Sequence, residues 1–367
     1  MRIVVESRIE TPKFMVYLVP IFSVGLALVF GGILMAVVGA DPIATYRAMA
    51  EGAFGSVEQW RAGQYYSITE TLVKAIPLML TSLAVGVAFR MLFWNIGAEG
   101  QLTIGALFGS AIPIYFTAWQ SPMVLILMLL LGVLGGALFG AIPALLKSRF
   151  GVNEILTSLM LVYVAQLLLD WVIRGPWKDP KGFNFPQSVS FEGWQLLPLL
   201  GEGRVHIGVI FALVAALLLW MMMGRSLRGF EIRVIGSSPR AGAFGGFAQK
   251  RVIWTCFLLS GALAGLAGIC EVAGPSGQLQ PVISPGYGFT AIIVAFLGRL
   301  NPIGIIFAGI LLAISYLGGE AAQVELGISD KMAQVFQGML LFLILACETL
   351  IHYRIKMAPG LGAAKEA

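Results

Sequence analysis

The chain has 367 residues, 58% of them hydrophobic and 12% charged, with a formal net charge of +5 and a mean hydropathy of +0.87. Soluble domains are about 25% charged, so this balance excludes a soluble enzyme and requires an integral membrane protein. Only helices or closed barrels satisfy their backbone in lipid, and the apolar runs here are continuous rather than alternating. The expected fold is therefore an all-α polytopic membrane helical bundle.

In chain order, the runs long enough to cross are residues 14–38, 68–89, 101–117, 123–146, 155–173, 205–223, 252–272 and 335–351, each meeting or approaching the roughly 17–25 residues a crossing helix needs. The first follows Arg2, Arg8 and Lys13. It exceeds the roughly 7–15 apolar residues of a signal peptide, so a retained first helix is expected. Two shorter pieces, 287–297 and 303–317, flank "GRLNP" and read as a pair of short helices turning near Asn301 and Pro302. The expected total is about ten helices in one permease-sized domain over 1–367, with no separable soluble part.

Loop charge sets the expected topology. With the N-terminus in the cytoplasm, most of the 24 Lys and Arg fall on the cytoplasmic side, while Asp41, Glu51, Glu58, Asp179, Glu192, Glu202, Glu320, Glu325 and Asp330 fall opposite. The positive-inside rule then places both termini in the cytoplasm. The net charge follows the loops and implies no nucleic acid. The longer outer loops are 39–67 and 174–204; the second mixes Pro, Gly and Trp and reads as an interfacial helix or docking surface, or as an aromatic belt at the headgroups.

Cys256, Cys270 and Cys347 sit inside apolar runs as small core residues, and His206 and His352 are too far apart in sequence to suggest a metal site. Nucleotide-binding, zinc-hydrolase and serine-nucleophile motifs are all lacking, so neither catalysis nor a cofactor is expected of this chain. Gly132/Gly136/Gly140, Gly105/Gly109 and Gly261/Gly265 recur at i, i+4, spacing that lets helix backbones approach closely.

Three stretches break the apolar pattern. In "FWNIGAEGQ", 93–101, the polar Asn95, Glu99 and Gln101 stand among Gly97 and Gly100. Asn95 reads as a helix cap with Glu99 near the positive end of the helix, or the stretch reads as a broken helix bordering a water-filled path. The residues alone leave both readings open. The cytoplasmic loop 224–251 is basic, and Ser237, Ser238 and Pro239 signal the start of a short Ala/Gly-rich helix, 240–247, tipped by Phe247. Such a helix suits insertion into a partner's groove; the plainer reading is a basic loop on anionic lipid. The third stretch, "GPSGQLQPVISPGYGF" at 274–289, leads into the short piece at 287. Interruptions in the two halves of a chain point to a transporter's central site, and helices 2–5 and 7–10 are candidates for an inverted repeat, although no residue-by-residue match accompanies them.

"NIGAEGQ", "SRFGVNEILTSLMLVYVA", "SSPRAGAFGGF" and "YGFTAIIVAFLGRLNPIGI" together resemble the permease subunits of type II ATP-binding cassette importers, in particular the nucleoside-type systems related to ribose and branched-chain amino-acid permeases. The resemblance covers nearly the whole chain. It implies a multi-pass protein of the bacterial plasma (inner) membrane that pairs with a second permease subunit. It also implies a cytoplasmic ATPase that binds the ATP and Mg, an outer substrate-binding (lipo)protein, and a nucleoside as the small-molecule solute. Trp94, Asn95, Glu99 and Gln101 would then line the path, with Phe93 and Phe289 joining Trp94 in stacking on a base. The coupling segment 239–247 would engage the ATPase through Pro239, Arg240, Ala243, Phe244 and Phe247, with Arg233 and Ser238 leading into it. The competing expectations are an importer subunit for a sugar or amino acid, and a stand-alone ion-coupled carrier with Glu99 as its ion site.

Overall fold

The computed structural model describes residues 2–7, 13–201, 203–327 and 353–358, with scattered positions between 329 and 347. It is a helical membrane bundle. Six described helices are long and apolar enough to cross a membrane, or seven if the bent pair Ile21–Val37 and Pro42–Arg61 forms one span. The expected count of ten is not reached among the described residues, and the expected run 335–351 lies largely outside them.

The chain gathers into two units, 1–49 with 319–367, and 50–318. In the first, β1 (Arg2–Ser7) pairs antiparallel with β2 (Tyr353–Ala358), a strand pair that the hydropathy pattern did not announce. Helix α1 (Lys13–Val37) follows, and the Asp41 carboxylate caps the start of α2 (Pro42–Phe54) by accepting from the Ile43 amide at 2.9 Å.

The second unit holds the core. After α3 (Val57–Arg61) come α4 (Tyr66–Phe89), α5 (Ala98–Tyr115), α6 (Pro122–Phe150), α7 (Glu154–Arg174) and α8 (Gly208–Arg225). Then follow α9 (Leu227–Ser237), α10 (Pro239–Phe244), α11 (Gln249–Glu271), α12 (Tyr287–Leu297) and, as far as residue 318, α13 (Pro302–Leu326). Helices α5, α6 and α11 meet backbone to backbone through their glycines. A Cβ on Gly105 would stand 2.2 Å from the Gly265 Cα, and one on Gly136 2.2 Å from the Gly261 carbonyl oxygen. Any side chain there would force the helices apart.

Three expectations about elements change. The piece 303–317 is no half-crossing: α13 runs on for 25 residues. Gly318, Gly319 and Glu320 end the apolar run, yet Ala321, Ala322, Gln323 and Glu325 favour helix, so the backbone continues where the hydropathy stops. The segment 224–251 is mostly helical rather than a loop, because Ser226 caps α9 through the Gly229 amide at 3.1 Å and α9 turns Ile232 and Ile235 inward. The short helix there begins at Pro239, as expected, but ends at Phe244 instead of reaching Phe247.

The segment 174–206 folds along residues 273–279. Leu197 N donates to Ala273 O at 2.8 Å, Phe191 N to Gly277 O at 2.7 Å, and Ser188 N to Leu279 O at 3.0 Å. Beyond the end of α7, its described residues include a single 3-10 turn, Gly193–Gln195.

Candidate functional site: two helix breaks that meet

Helix α4 ends at Phe89 because Leu92 takes a left-handed φ of 56° and the chain turns. The restart at Ala98 is capped by Gly97, not by Asn95. Asn95 sits two residues earlier and is fully buried; its Oδ1 accepts from the Gly97 amide at 3.1 Å and from Gln101 Nε2 at 3.2 Å. Its Nδ2 donates to Gln101 Oε1 at 3.0 Å and to Ser260 Oγ on α11 at 2.9 Å. The Ser158 hydroxyl of α7 accepts from the Ile96 amide at 3.2 Å. Every polar side-chain atom of Asn95 and Gln101 therefore finds a partner inside the bundle, as apolar surroundings demand.

Glu99, also buried, is used by a different element. Its Oε2 accepts from the Gly288 amide at 2.6 Å, on the second residue of α12. The break at 93–101 and the interrupted stretch 274–289 thus touch, although 189 positions separate the bonded residues. Helix α12 has only 11 residues and ends at Leu297, about 16 Å at 1.5 Å per residue. Thr290 on α12 shares a 2.8 Å hydrogen bond with Tyr316 on α13.

The aromatic candidates divide. Phe93 is buried against Phe257, with the Lys147 ammonium 5.6 Å from its ring centroid. Trp94 is half-buried, tilted against Phe89 at 4.8 Å and stacked on Phe296 at 6.1 Å. Phe289 is 41% exposed. On the second candidate surface, Arg233, Pro239, Arg240, Ala243 and Phe244 are exposed, Ser238 and Phe247 half-exposed. The Ser238 Oγ caps α10 by accepting from Ala241 N at 3.3 Å, and Phe247 meets Phe230 edge-on at 5.9 Å.

Sequence reasoning missed Ser158 and Ser260, which look like ordinary small residues in apolar runs, and Ser284, which looks like a turn residue beside Pro285. It also missed a charged group beside 174–206. There Arg204 pairs with Glu70 at 3.1 Å and donates to Pro275 O at 3.3 Å, while the buried Glu271 faces the charges of Lys74 and Arg204. Alternating signs in three distant segments were the available signal. A cleft of about 600 Å³ lined by Trp194, Leu199, Arg204 and Pro275 opens nearby, and none of its lining residues belongs to 93–101 or 287–290. Among the described residues, no cluster of His, Cys, Asp and Glu could hold a metal ion.

A polytopic bundle whose buried polar groups collect where two interrupted helices meet has the architecture of a membrane transport protein. The comparisons agree. The family described as "Branched-chain amino acid transport system / permease component" matches residues 67–345. The chain is 34% identical to the glucose ABC transporter permease protein of Haloferax volcanii, over 96% of this chain and 93% of that one. It is 32% identical to the guanosine ABC transporter permease protein of Bacillus subtilis, over 89% and 92%, and 28% identical to a nucleoside ABC transporter permease protein of Lactococcus lactis, over 95% and 95%. The chain belongs to this family of permease components: it is a multi-pass membrane transport subunit and not an enzyme.

Proposed function

We propose that this chain is the permease subunit of an ATP-driven importer and, with a second permease subunit, forms the translocation path for nucleosides. The observation that carries the reading is the meeting of the two helix breaks through Glu99 and Gly288, which sets buried polar groups beside the half-exposed Trp94 and the exposed Phe289. In this reading 93–101 and the start of α12 border the path. Trp94 and Phe289 are the rings that a base can reach, and Phe93, Asn95, Glu99 and Gln101 form the wall behind them. The exposed face of 239–247, with Arg233 and Ser238 beside it, docks on a cytoplasmic ATPase that binds ATP and Mg; this chain binds no cofactor itself. An outer substrate-binding (lipo)protein delivers the solute, the chain crosses the bacterial plasma membrane, and both termini are cytoplasmic.

Two of the three relatives above are named for guanosine or nucleosides, which supports the cargo. The third is named for glucose, which supports a sugar as the second reading. A stand-alone ion-coupled carrier gains no support from relatives named as ABC permeases. The test is ATP-dependent uptake by the reconstituted complex, with nucleosides, sugars and amino acids as competitors. Nucleosides are expected to compete best. Uptake that follows a proton gradient and ignores ATP would refute the importer, and preferential competition by hexoses would move the cargo to the second reading.

A further inference from the structure

Glu99 is 3% exposed, and its carboxylate is engaged by the chain itself. Gly288 lies in the first turn of α12, where free amide groups carry partial positive charge, so the 2.6 Å bond is aligned with the helix dipole. Ser284 shapes the same turn. Its Oγ accepts from the Gly286 and Tyr287 amides at 3.0 and 2.7 Å, and its hydroxyl donates to Glu99. The fit leaves no room for a side chain at 288, where a Cβ would stand 2.3 Å from the Glu99 nitrogen. The next residue is Phe289, 41% exposed. A helix of 11 residues is too short to be anchored in both faces of a membrane, so its place depends on its partners within the bundle, and Glu99 holds its first turn.

We propose that Glu99 is a positioning residue: its carboxylate clamps the first turn of α12 to the break before α5, and so sets where Phe289 stands in the path without touching the solute. The proposal rests on the permease reading above and adds a division of labour within the site. A clamp must keep a hydrogen-bond acceptor, whereas a solute ligand or an ion site must keep its charge and its selectivity.

The test places Phe289→Cys in the assembled complex, where Cys256, Cys270 and Cys347 are buried and the new thiol is the accessible one. Its rate of labelling by a small maleimide is measured with Glu99 intact and with Glu99→Ala, Glu99→Gln or Gly288→Ala. ATP-dependent uptake is measured in parallel with Phe289 restored. Loss of the bond in Glu99→Ala or Gly288→Ala should change labelling about tenfold or more, in one direction and without additivity in the double variant, while Glu99→Gln, which still accepts, stays within about threefold. Uptake should fall for every competing solute alike, leaving their rank order unchanged. Wild-type labelling in the Ala variant, a Gln variant as impaired as Ala, or a changed rank order of solutes would each overturn the clamp. If Glu99→Ala fails to assemble, Glu99→Asp, one methylene short of the amide, takes its place with the same expectations. If the complex takes up nothing with ATP, the permease reading fails, and the labelling series still decides the clamp.

Discussion

The Asn95 carboxamide ties three parts of the bundle together: the backbone of the break, Gln101 on α5 and Ser260 on α11. Replacing it by Leu, similar in shape but without polar atoms, orphans Gln101, Ser260 and the Gly97 amide. Each buried group left unpaired costs about 1–3 kcal/mol. The expected result is a clearly lowered melting temperature of the purified protein, and a smaller combined loss than the sum for Asn95→Leu with Gln101→Leu, since both lose the same bonds. Three polar side chains in an apolar run announced a special site. Their partners were illegible, because nothing local marks Ser260 as the receiver of a bond from 165 positions away. His206 offers a second test at this scale. It lies just ahead of α8, its Nδ1 accepts from the Gly208 amide at 3.2 Å, and burial lowers its pKa from 6.5 to about 4. The unfolded chain therefore binds the proton more readily, so this group's contribution is complete above about pH 6.5 and is lost as pH falls toward 4. A melting series over that window should slope downward on acidification, and His206→Gln should flatten it.

Among the elements, the glycine contacts decide how close α5, α6 and α11 come. A Cβ on Gly265 would meet the Gly132 carbonyl oxygen at 2.2 Å, a backbone atom that cannot swing aside, whereas one on Gly25 in α1 meets nothing within 4 Å. Gly265→Ala should destabilise by at least the roughly 1–3 kcal/mol typical of overpacking. Gly25→Ala should be neutral or gain up to about 1 kcal/mol of helix propensity. Thermal unfolding of the two variants side by side checks the contrast, and equal melting temperatures would refute the close approach. The i, i+4 spacing showed that these glycines face a neighbour; which neighbour is a tertiary fact. Helix ends were the least legible feature. α13 outlasts its apolar run, and α9 was hidden because its charges and glycines read as loop, although Ile232 and Ile235 already stood at helical spacing.

For the whole molecule, the proposed coupling surface makes the sharpest demand. Phe244 is 97% exposed and Ala243 is exposed beside it, while Gly242 is buried with a would-be Cβ 2.7 Å from Ile235. Ala243→Trp should therefore leave the fold intact yet block a close-fitting partner, at about 1–3 kcal/mol for overpacking in a groove. Arg228 pairs with Glu231 at 2.7 Å and Arg225 lies 5.3 Å over the Trp220 ring, so their removal acts within this chain, and exposed pairs contribute little. Co-purification of the ATPase and solute-stimulated ATP hydrolysis should fail in Ala243→Trp and persist in Arg225→Ala with Arg228→Ala. The opposite pattern would make this surface a lipid-facing one. Class and family were legible from hydropathy and four quoted motifs. The length of the last long helix was not, because a short apolar run reads alike whether it is a short helix, as at 287–297, or the first part of a long one, as at 303–317.

The strapping of 174–206 along 273–279 also dictates where the molecule tolerates added chain. Between Asp179 and Gln187, joined by a 2.8 Å backbone bond, the loop projects away with Phe183 94% exposed. An epitope or small tag inserted between Phe183 and Asn184 lengthens a loop tip whose closure entropy grows only slowly with length. The same insertion between Ser188 and Leu197 would pull the backbone out of register with Ala273, Gly277 and Leu279, and with it the segment that leads into α12. The tip at 183–184 is thus the natural handle for a reporter, and the strap a few residues later is the place where a reporter would silence what it was meant to watch.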